Sequence, residues 1–149
     1  MRAVVQRVSE ARVRVNAEVT GEIGEGLLAF VGVGVDDGRD DARALAQKIA
    51  ELRIFPDERG LMNRSVAESG GAILLVSQFT LHGDARRGRR PSFVTSAKEP
   101  LARELFELAG RSLESTGIPV RYGRFGARME VELVNSGPVT ILLDTKRAF

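Results

Sequence analysis

The feature that most constrains this fold is a strongly apolar run, AILLV, at residues 72–76. An unbroken apolar run of this length predicts a buried strand, and the polar residues after it mark where the strand ends. The next four residues are Ser77, Gln78, Phe79 and Thr80. Hydroxyl and amide groups at the end of a rigid strand are well placed for polar chemistry, so this segment is a candidate site.

A second informative segment, residues 135–140, places Gly137 and Pro138 between two strand-like runs. An X-Pro bond is the only peptide bond that adopts the cis form cheaply, about 0.5–1 kcal/mol above trans. Glycine before it has no Cβ to crowd the proline ring. Such a dipeptide can hold two backbone carbonyls in an unusual direction, which suits a site that senses shape. A tight turn between strands is the alternative interpretation.

Composition predicts one soluble globular domain over residues 1–149, because 43% of the residues are hydrophobic and 28% are charged. The chain has no cysteine, which excludes disulfides, zinc-thiolate sites and a cysteine nucleophile. No apolar run reaches the length of a membrane helix, and the N-terminal residues follow a strand pattern instead of that of a signal peptide. We therefore expect a cytoplasmic protein with no membrane partner.

The pattern of apolar residues predicts two helices and six or seven strands. One helix covers residues 40–53, and a second is opened by Ser96 and Glu99, which have capping-box spacing. Strands are grouped at both ends of the chain, which favours an α+β fold with a largely antiparallel, curved or barrel-like sheet. Gly32 and Gly34, in an apolar strand-like run, indicate that another segment approaches closely there.

Several common kinds of site are disfavoured. The single histidine, His82, would have to complete any Ser-His-Asp triad with Ser77, and a lone loop histidine is usually solvated. The acidic residues within 36–41 suit a turn and a helix N-terminus better than a metal site. The dinucleotide-binding pattern GxGxxG is absent. We expect neither a metal nor a cofactor.

The remaining candidates are the hydroxyls of Ser77 and Thr80, the amide of Gln78 and nearby main-chain N–H groups. Donors of this kind can stabilise an oxyanion, and removing one costs about 2.7–4 kcal/mol. They cannot easily activate water, so a substrate must be labile or supply its own base. An aminoacyl ester on the 3′ end of tRNA is labile and has a ribose hydroxyl beside it. The alternative is a strand end whose hydroxyls merely bond the backbone.

Together these segments resemble the D-aminoacyl-tRNA deacylase family, and the resemblance covers essentially all 149 residues. The similar segments are residues 1–8, 52–55 with 62–63, 77–81, 90–93, 125–129 and 135–140. One departure is Ser136, which stands where an aspartate is usual. The resemblance implies an α+β, barrel-like homodimer with two active sites at the subunit interface. It also implies that Gly137-Pro138 is cis and enters the partner's site, where its carbonyls receive the substrate ammonium and exclude an L side chain.

The resemblance also implies roles for other residues. Four would line the pocket around the scissile ester: Ser77, Gln78, Phe79 and Thr80. Thr80 would help to hold the oxyanion through its backbone N–H, Phe125 and Met129 would pack against the terminal adenosine, and Arg7 would brace the Gly-Pro loop. Steric exclusion cannot reject glycine, which fits the family's removal of glycine mischarged on alanine tRNA.

The sequence leaves alternatives open for both the catalytic mechanism and the function. We expect the terminal 2′-hydroxyl to assist attack by water, and Thr80 as a covalent nucleophile is the rival mechanism. Competing functions are an editing domain like that of archaeal threonyl-tRNA synthetases, a non-catalytic nucleic-acid-binding protein and a structural dimer. Four clustered arginines, Arg86, Arg87, Arg89 and Arg90, either contact phosphates or form a solvated loop.

Overall fold

The computed structural model describes residues 1–149. It contains eight strands: β1 (Arg2–Val15), β2 (Glu18–Ile23), β3 (Gly26–Gly32), β4 (Phe55–Pro56), β5 (Met62–Arg64), β6 (Ala72–Ser77), β7 (Val120–Tyr122) and β8 (Glu130–Asp144). The helices are α1 (Arg39–Glu51), α2 (Val66–Ser69) and α3 (Leu101–Glu114), with a single 3₁₀ turn at Phe79–His82. None of the helices combines the length and apolar character needed to cross a membrane.

The long strand β1 organises the main sheet. It pairs antiparallel with β2, β3 and β8, whereas β3–β6 and β6–β7 are parallel pairs. The two ends of this sheet meet, since a Cβ added to the buried Gly21 of β2 would lie 2.3 Å from the carbonyl oxygen of Tyr122 in β7. The sheet is therefore a nearly closed barrel, which confirms the predicted α+β, barrel-like fold class.

The predicted apolar strand at residues 72–76 is buried because β6 faces two cores. Ile73 and Leu75 belong to the core beneath α1 and α3, whereas Leu74 and Val76 belong to the barrel interior. Alternate side chains of a strand point to opposite faces, so a strand covered on both faces must be apolar throughout. Each fully buried aliphatic side chain contributes about 1.5–3 kcal/mol.

The predicted capping box at Ser96 and Glu99 is wrong. Helix α3 begins at Leu101, after Pro100, and has no side-chain cap. The Glu99 carboxylate instead pairs with the Arg103 guanidinium at 3.1 Å. A capping box does form at α2, the helix that the sequence analysis did not predict: the Ser65 hydroxyl accepts from the Glu68 N–H at 3.3 Å, and the Glu68 carboxylate accepts from the Ser65 N–H at 2.6 Å.

The acidic segment at residues 36–41 has structural partners. The Met1 α-ammonium donates to Asp37 at 2.6 Å, and the other Asp37 oxygen accepts from the Gly34 N–H at 2.6 Å. Burial opposes ionisation of Asp41, but hydrogen bonds, above all that from Lys146, lower its pKa to about 2. These contacts fix the turn between β3 and α1 against the end of β8.

Candidate active site

The carboxyl ends of β3 and β6 lie at the same edge of the sheet, and there the chain leaves β6 for the 3₁₀ turn. The Gln78 N–H donates to the Val31 carbonyl at 2.8 Å, which continues the pairing one residue past β6. A Cβ on Gly32 would lie 2.9 Å from the Gln78 carbonyl oxygen, and one on Gly34 would lie 2.9 Å from His82 Cε1. The two glycines therefore admit the 3₁₀ turn, which confirms the predicted close approach.

The segment after β6 presents its polar groups at the surface. Ser77 and Gln78 are half-buried, Thr80 is exposed and Phe79 is 58% exposed. The Gln78 side-chain amide donates to the Thr80 hydroxyl. Because Phe79 and Thr80 begin the 3₁₀ turn, their N–H groups lie where a helix has no acceptor of its own. The segment thus offers hydroxyl, amide and main-chain donors to a bound molecule.

A cavity of about 490 Å³ opens beside this segment. Ser77, Gln78 and Phe79 lie on its wall, and Phe125 and Met129, from the loop between β7 and β8, lie on it as well. The remaining wall is mostly hydrophobic. Part of it comes from β3, β6, β8 and α3, and the rest comes from Val33 and from the loop residues within 93–99 and 126–127. Five of the predicted site residues are thus brought together around one pocket of the size that small ligands occupy.

An aromatic surface in this pocket is held in place by its neighbours. The Phe125 ring lies 5.6 Å from the Phe106 ring, centroid to centroid. The Arg103 guanidinium carbon lies 4.6 Å from the Phe125 centroid, a cation–π distance. Met129 packs its sulfur against Gly123, where an added Cβ would approach it to 2.7 Å. These contacts restrict the freedom of the Phe125 and Met129 side chains.

The pocket is poor in groups that could act as a general base. Its one carboxylate, that of Glu99, is paired with Arg103. His82 does not line this pocket but a second cavity, beside Met1 and Arg2. It is 8% exposed, so the expectation of a solvated histidine is wrong. Burial lowers the pKa of His82, so its neutral form is favoured.

Phe93 and Ser96 are among the pocket residues that were not predicted as site residues. Phe93 meets Phe79 edge-on with centroids 5.2 Å apart, and it lies in the segment at 90–93 that the family resemblance had matched without a role. Ser96 was interpreted as a helix cap, but its hydroxyl is buried in the pocket wall with no hydrogen-bond partner. The sequence carried no signal for Ser96, because the pairing of Ala97 N–H with the Val33 carbonyl at 2.9 Å positions it.

Gly137 and Pro138 lie in a bulge of β8, away from this pocket. In the register with β1, Thr140 pairs with Gln6 and Asn135 pairs with Val8, so residues 136–139 protrude opposite one β1 residue. The Gly137–Pro138 peptide bond is cis, and both residues are exposed. Neither residue lines the pocket of its own chain.

Arg7 is the β1 residue opposite the bulge. Its Nε donates to the Ser136 carbonyl at 3.0 Å, and its Nη1 donates to the Ile54 carbonyl at 2.6 Å. The Asn135 side chain joins the two ends of the bulge, since its Oδ1 accepts a hydrogen bond from the Val139 N–H at 3.0 Å. The bulge is therefore tied on both sides to the sheet, while its tip stays free. Arg7, like Thr80, does not line the pocket.

The pocket is mostly hydrophobic, has the polar side chains of Ser77 and Gln78 on its wall, and has one carboxylate, which is paired with an arginine. Residues 4–144 match the family model described as D-Tyr-tRNA(Tyr) deacylase. Two relatives named D-aminoacyl-tRNA deacylase are 58% and 55% identical over 149 residues and are covered completely, as is this chain. They come from Anaeromyxobacter dehalogenans and Syntrophobacter fumaroxidans. The chain belongs to the D-aminoacyl-tRNA deacylase family and is a hydrolase.

Two solved structures have the same fold. One, described as c-Myc DNA Unwinding Element Binding Protein, superposes with a TM-score of 0.91 at 36% identity and covers 97% of this chain and 99% of its own. The other, described as a probable eukaryotic D-amino acid tRNA deacylase, has a TM-score of 0.76 at 18% identity and covers 95% and 97%. The second likeness concerns the fold alone.

Proposed function

We propose that this chain hydrolyses the ester of D-aminoacyl-tRNA and releases the free D-amino acid and the tRNA. The observation that carries the proposal is the placement of Ser77, Gln78 and Phe79 at one wall of a mostly hydrophobic pocket. The matching relatives support it, because those named above carry the name D-aminoacyl-tRNA deacylase. The chain acts as one domain over residues 1–149, in the cytoplasm, where aminoacyl-tRNA is found.

The pocket binds the 3′-terminal adenosine of the tRNA. Its volume of about 490 Å³ suits a nucleoside. Phe125 and Met129 offer a flat, polarizable surface on which an adenine can stack. Because Arg103 and Phe106 already hold Phe125, little side-chain freedom is lost on binding. The ester then lies beside Ser77, Gln78 and Phe79, with Thr80 next along the chain.

Hydrolysis relies on position and on oxyanion donors. Water attacks the ester carbonyl carbon, and the terminal 2′-hydroxyl assists by accepting a proton from that water. The Thr80 N–H, with neighbouring donors, stabilises the negative charge that develops on the carbonyl oxygen. The bond from the carbonyl carbon to the ribose 3′-oxygen then breaks, and the 2′-hydroxyl passes a proton to that oxygen, so that it ends as a neutral hydroxyl again. The lack of a free base in the pocket supports this substrate-assisted route.

Selection for the D-form is made by Gly137 and Pro138 of a second copy of the chain. Their carbonyls accept hydrogen bonds from the substrate α-ammonium, and the bulge occupies the space that an L side chain would need. Both residues are exposed and lie outside the pocket of their own chain, which supports delivery in trans. Arg7 holds the base of the bulge through the Ser136 carbonyl. Glycine has no side chain to exclude, so glycyl-tRNA, including glycine mischarged on alanine tRNA, is also hydrolysed.

A homodimer with active sites at the interface is the assembly that this selection requires. Strand β8 pairs with β1 only. Along β8, Val134 is 50% and Leu142 is 58% exposed, so the strand offers apolar side chains to a partner. Because β8 pairs on one side only, its other edge is available to a second copy of the chain.

The alternative is a non-catalytic nucleic-acid-binding protein. It is favoured by the likeness to the structure described as c-Myc DNA Unwinding Element Binding Protein. The two functions separate in one experiment, in which D-[¹⁴C]tyrosyl-tRNA is mixed with the protein and free tyrosine is measured over time. Release of tyrosine in proportion to protein concentration is the result expected of the deacylase. Binding of the tRNA with no release beyond the spontaneous rate would support the alternative and contradict our proposal.

A further inference from the structure

The loop at residues 84–92, called here the arginine loop, is a closed structure with a concentrated positive charge. Its base is an antiparallel bridge, in which the Asp84 N–H donates to the Ser92 carbonyl at 2.8 Å and the Ser92 N–H donates to the Asp84 carbonyl at 2.9 Å. Gly88, at φ +73°, makes the turn at its tip. The loop contains four arginines, and its only acidic residue is Asp84.

The four arginines are not equivalent. The guanidinium of Arg86 donates twice to the Asp84 carboxylate, at 2.8 and 2.6 Å, so the charge of Arg86 is already paired within the loop. The same contact holds the pKa of Asp84 well below its usual range. Arg87, Arg89 and Arg90 are exposed and have neither an ion pair nor a side-chain hydrogen bond. Three unpaired guanidinium groups within four residues form an anion-binding surface with no anion supplied by the chain.

The arginine loop is joined at both ends to the candidate site. Just before it, the Gly83 N–H donates to the Thr80 carbonyl at 2.9 Å. Just after it, Phe93 lines the pocket and contacts Phe79. The loop therefore rises from the rim of the pocket that we assign to the terminal adenosine, on the side of the residues that surround the ester.

We propose that Arg87, Arg89 and Arg90 bind the phosphodiester backbone of the RNA strand whose 3′ end carries the ester. This inference rests on the proposed function, because the ester positions the strand. Arginine matches phosphate in a bidentate geometry. Contacts to phosphate carry no base sequence, so the loop would serve all tRNAs alike and set the register of the 3′ end.

The test compares a triple variant, Arg87→Gln/Arg89→Gln/Arg90→Gln, with the unchanged protein on two substrates. D-Tyrosyl-tRNA carries the phosphates, and 3′-O-D-tyrosyl-adenosine lacks them. For the tRNA we expect KM to rise at least about tenfold and its dependence on log salt to flatten by about 2 to 3 units, with kcat unchanged. Hydrolysis of the adenosine ester should stay the same. A matched control, Arg39→Gln/Lys48→Gln/Arg59→Gln, removes the same charge from exposed sites elsewhere and should leave the salt slope unaltered.

Two results would overturn the proposal: a salt slope for the triple variant equal to that of the unchanged protein, or equal losses on the two substrates. Binding of unacylated tRNA, followed by fluorescence anisotropy against salt, measures the loop without catalysis. If the unchanged protein hydrolysed neither substrate, the proposed function would fail. A flattened salt slope of the triple variant in the anisotropy measurement would still support the loop as an RNA contact.

Discussion

The guanidinium of Arg7 and the carbonyl of Ser136 are joined by a hydrogen bond of 3.0 Å. This bond links the middle of β1 to the base of the bulge that carries Gly137 and Pro138. A second bond from Arg7, to the Ile54 carbonyl at 2.6 Å, fixes the guanidinium from the other side. The Arg7 side chain therefore connects the start of the bulge to the segment after α1.

Replacing Arg7 by lysine should lower kcat/KM for D-tyrosyl-tRNA by about 10- to 100-fold, because an ammonium cannot make both bonds in the fixed geometry of a guanidinium. A hydrogen bond that involves a charged group contributes about 1.5–3 kcal/mol. The measurement is steady-state hydrolysis, with circular dichroism to show that the variant is folded. Full activity in a folded Arg7→Lys protein would show that Arg7 is not needed to position the bulge.

Replacing Gly137 by alanine should disturb the tip of the bulge. The added Cβ would lie 2.8 Å from Arg7 Nη2 and 2.9 Å from Val139 Cγ2, and Gly137 has φ +130°, which strains any residue with a side chain. We expect at least a tenfold loss in hydrolysis of D-tyrosyl-tRNA, roughly the effect of 1.4 kcal/mol. Gly24→Ala is the control, because a Cβ there meets nothing within 4 Å. Equal activity of the two variants would argue against a role for the bulge.

Replacing Thr80 by valine distinguishes the two mechanisms. The variant keeps the backbone N–H and the shape of the side chain but lacks the hydroxyl. If the N–H is the functional group, turnover of D-tyrosyl-tRNA should stay within about tenfold, the loss reflecting the missing bond from Gln78. A covalent nucleophile behaves differently, because its removal costs several orders of magnitude in kcat. A loss of that size, or a trapped acyl-enzyme in the unchanged protein, would favour the covalent route.

The buried His82 should make the stability of the fold depend on pH. Burial lowers its pKa in the folded protein below the ordinary 6.5. As pH drops below about 6.5, the unfolded chain takes up a proton on this histidine before the folded chain does, so the free energy of unfolding should fall with falling pH. Urea titrations of the protein and of His82→Gln over a series of falling pH values provide the check. The variant should lose this part of the dependence, and parallel curves for the two proteins would contradict the argument.

The parts of the fold that were predicted from the sequence are those set by the spacing and size of neighbouring side chains. The apolar run of β6, the helices α1 and α3 and the need for glycine at positions 32 and 34 follow from side-chain periodicity and size. The positions of Ser96 and His82 did not follow, because each is set by distant strands: Ser96 by the pairing of its neighbour with Val33, and His82 by its packing against Gly34. The parallel pairing of β3 with β6 also depends on the tertiary structure, and it could not be predicted from the sequence of either strand alone.

The candidate site shows the same division. Ser77 and Gln78 were found because polar residues directly follow an apolar strand. Phe79, Phe125 and Met129 were found because their segments resemble the family. Phe93 and Phe106 complete the pocket without a local pattern, since an aromatic residue in a wall looks like any core residue. Their assignment needed the packing of α3 and the loop after the arginines against the strand ends.

We expect the protein to select its substrate by excluding an L side chain, and a matched set of three aminoacyl-tRNAs tests this expectation. Hydrolysis of D-tyrosyl-tRNA, L-tyrosyl-tRNA and glycyl-tRNA should be measured under identical conditions. We expect rapid cleavage of the D and glycyl esters. Cleavage of the L ester should be at least about 100-fold slower, the equivalent of about 2.7 kcal/mol in the barrier. Comparable cleavage of the L ester would contradict exclusion by Gly137 and Pro138, and the absence of cleavage of all three would contradict the deacylase itself.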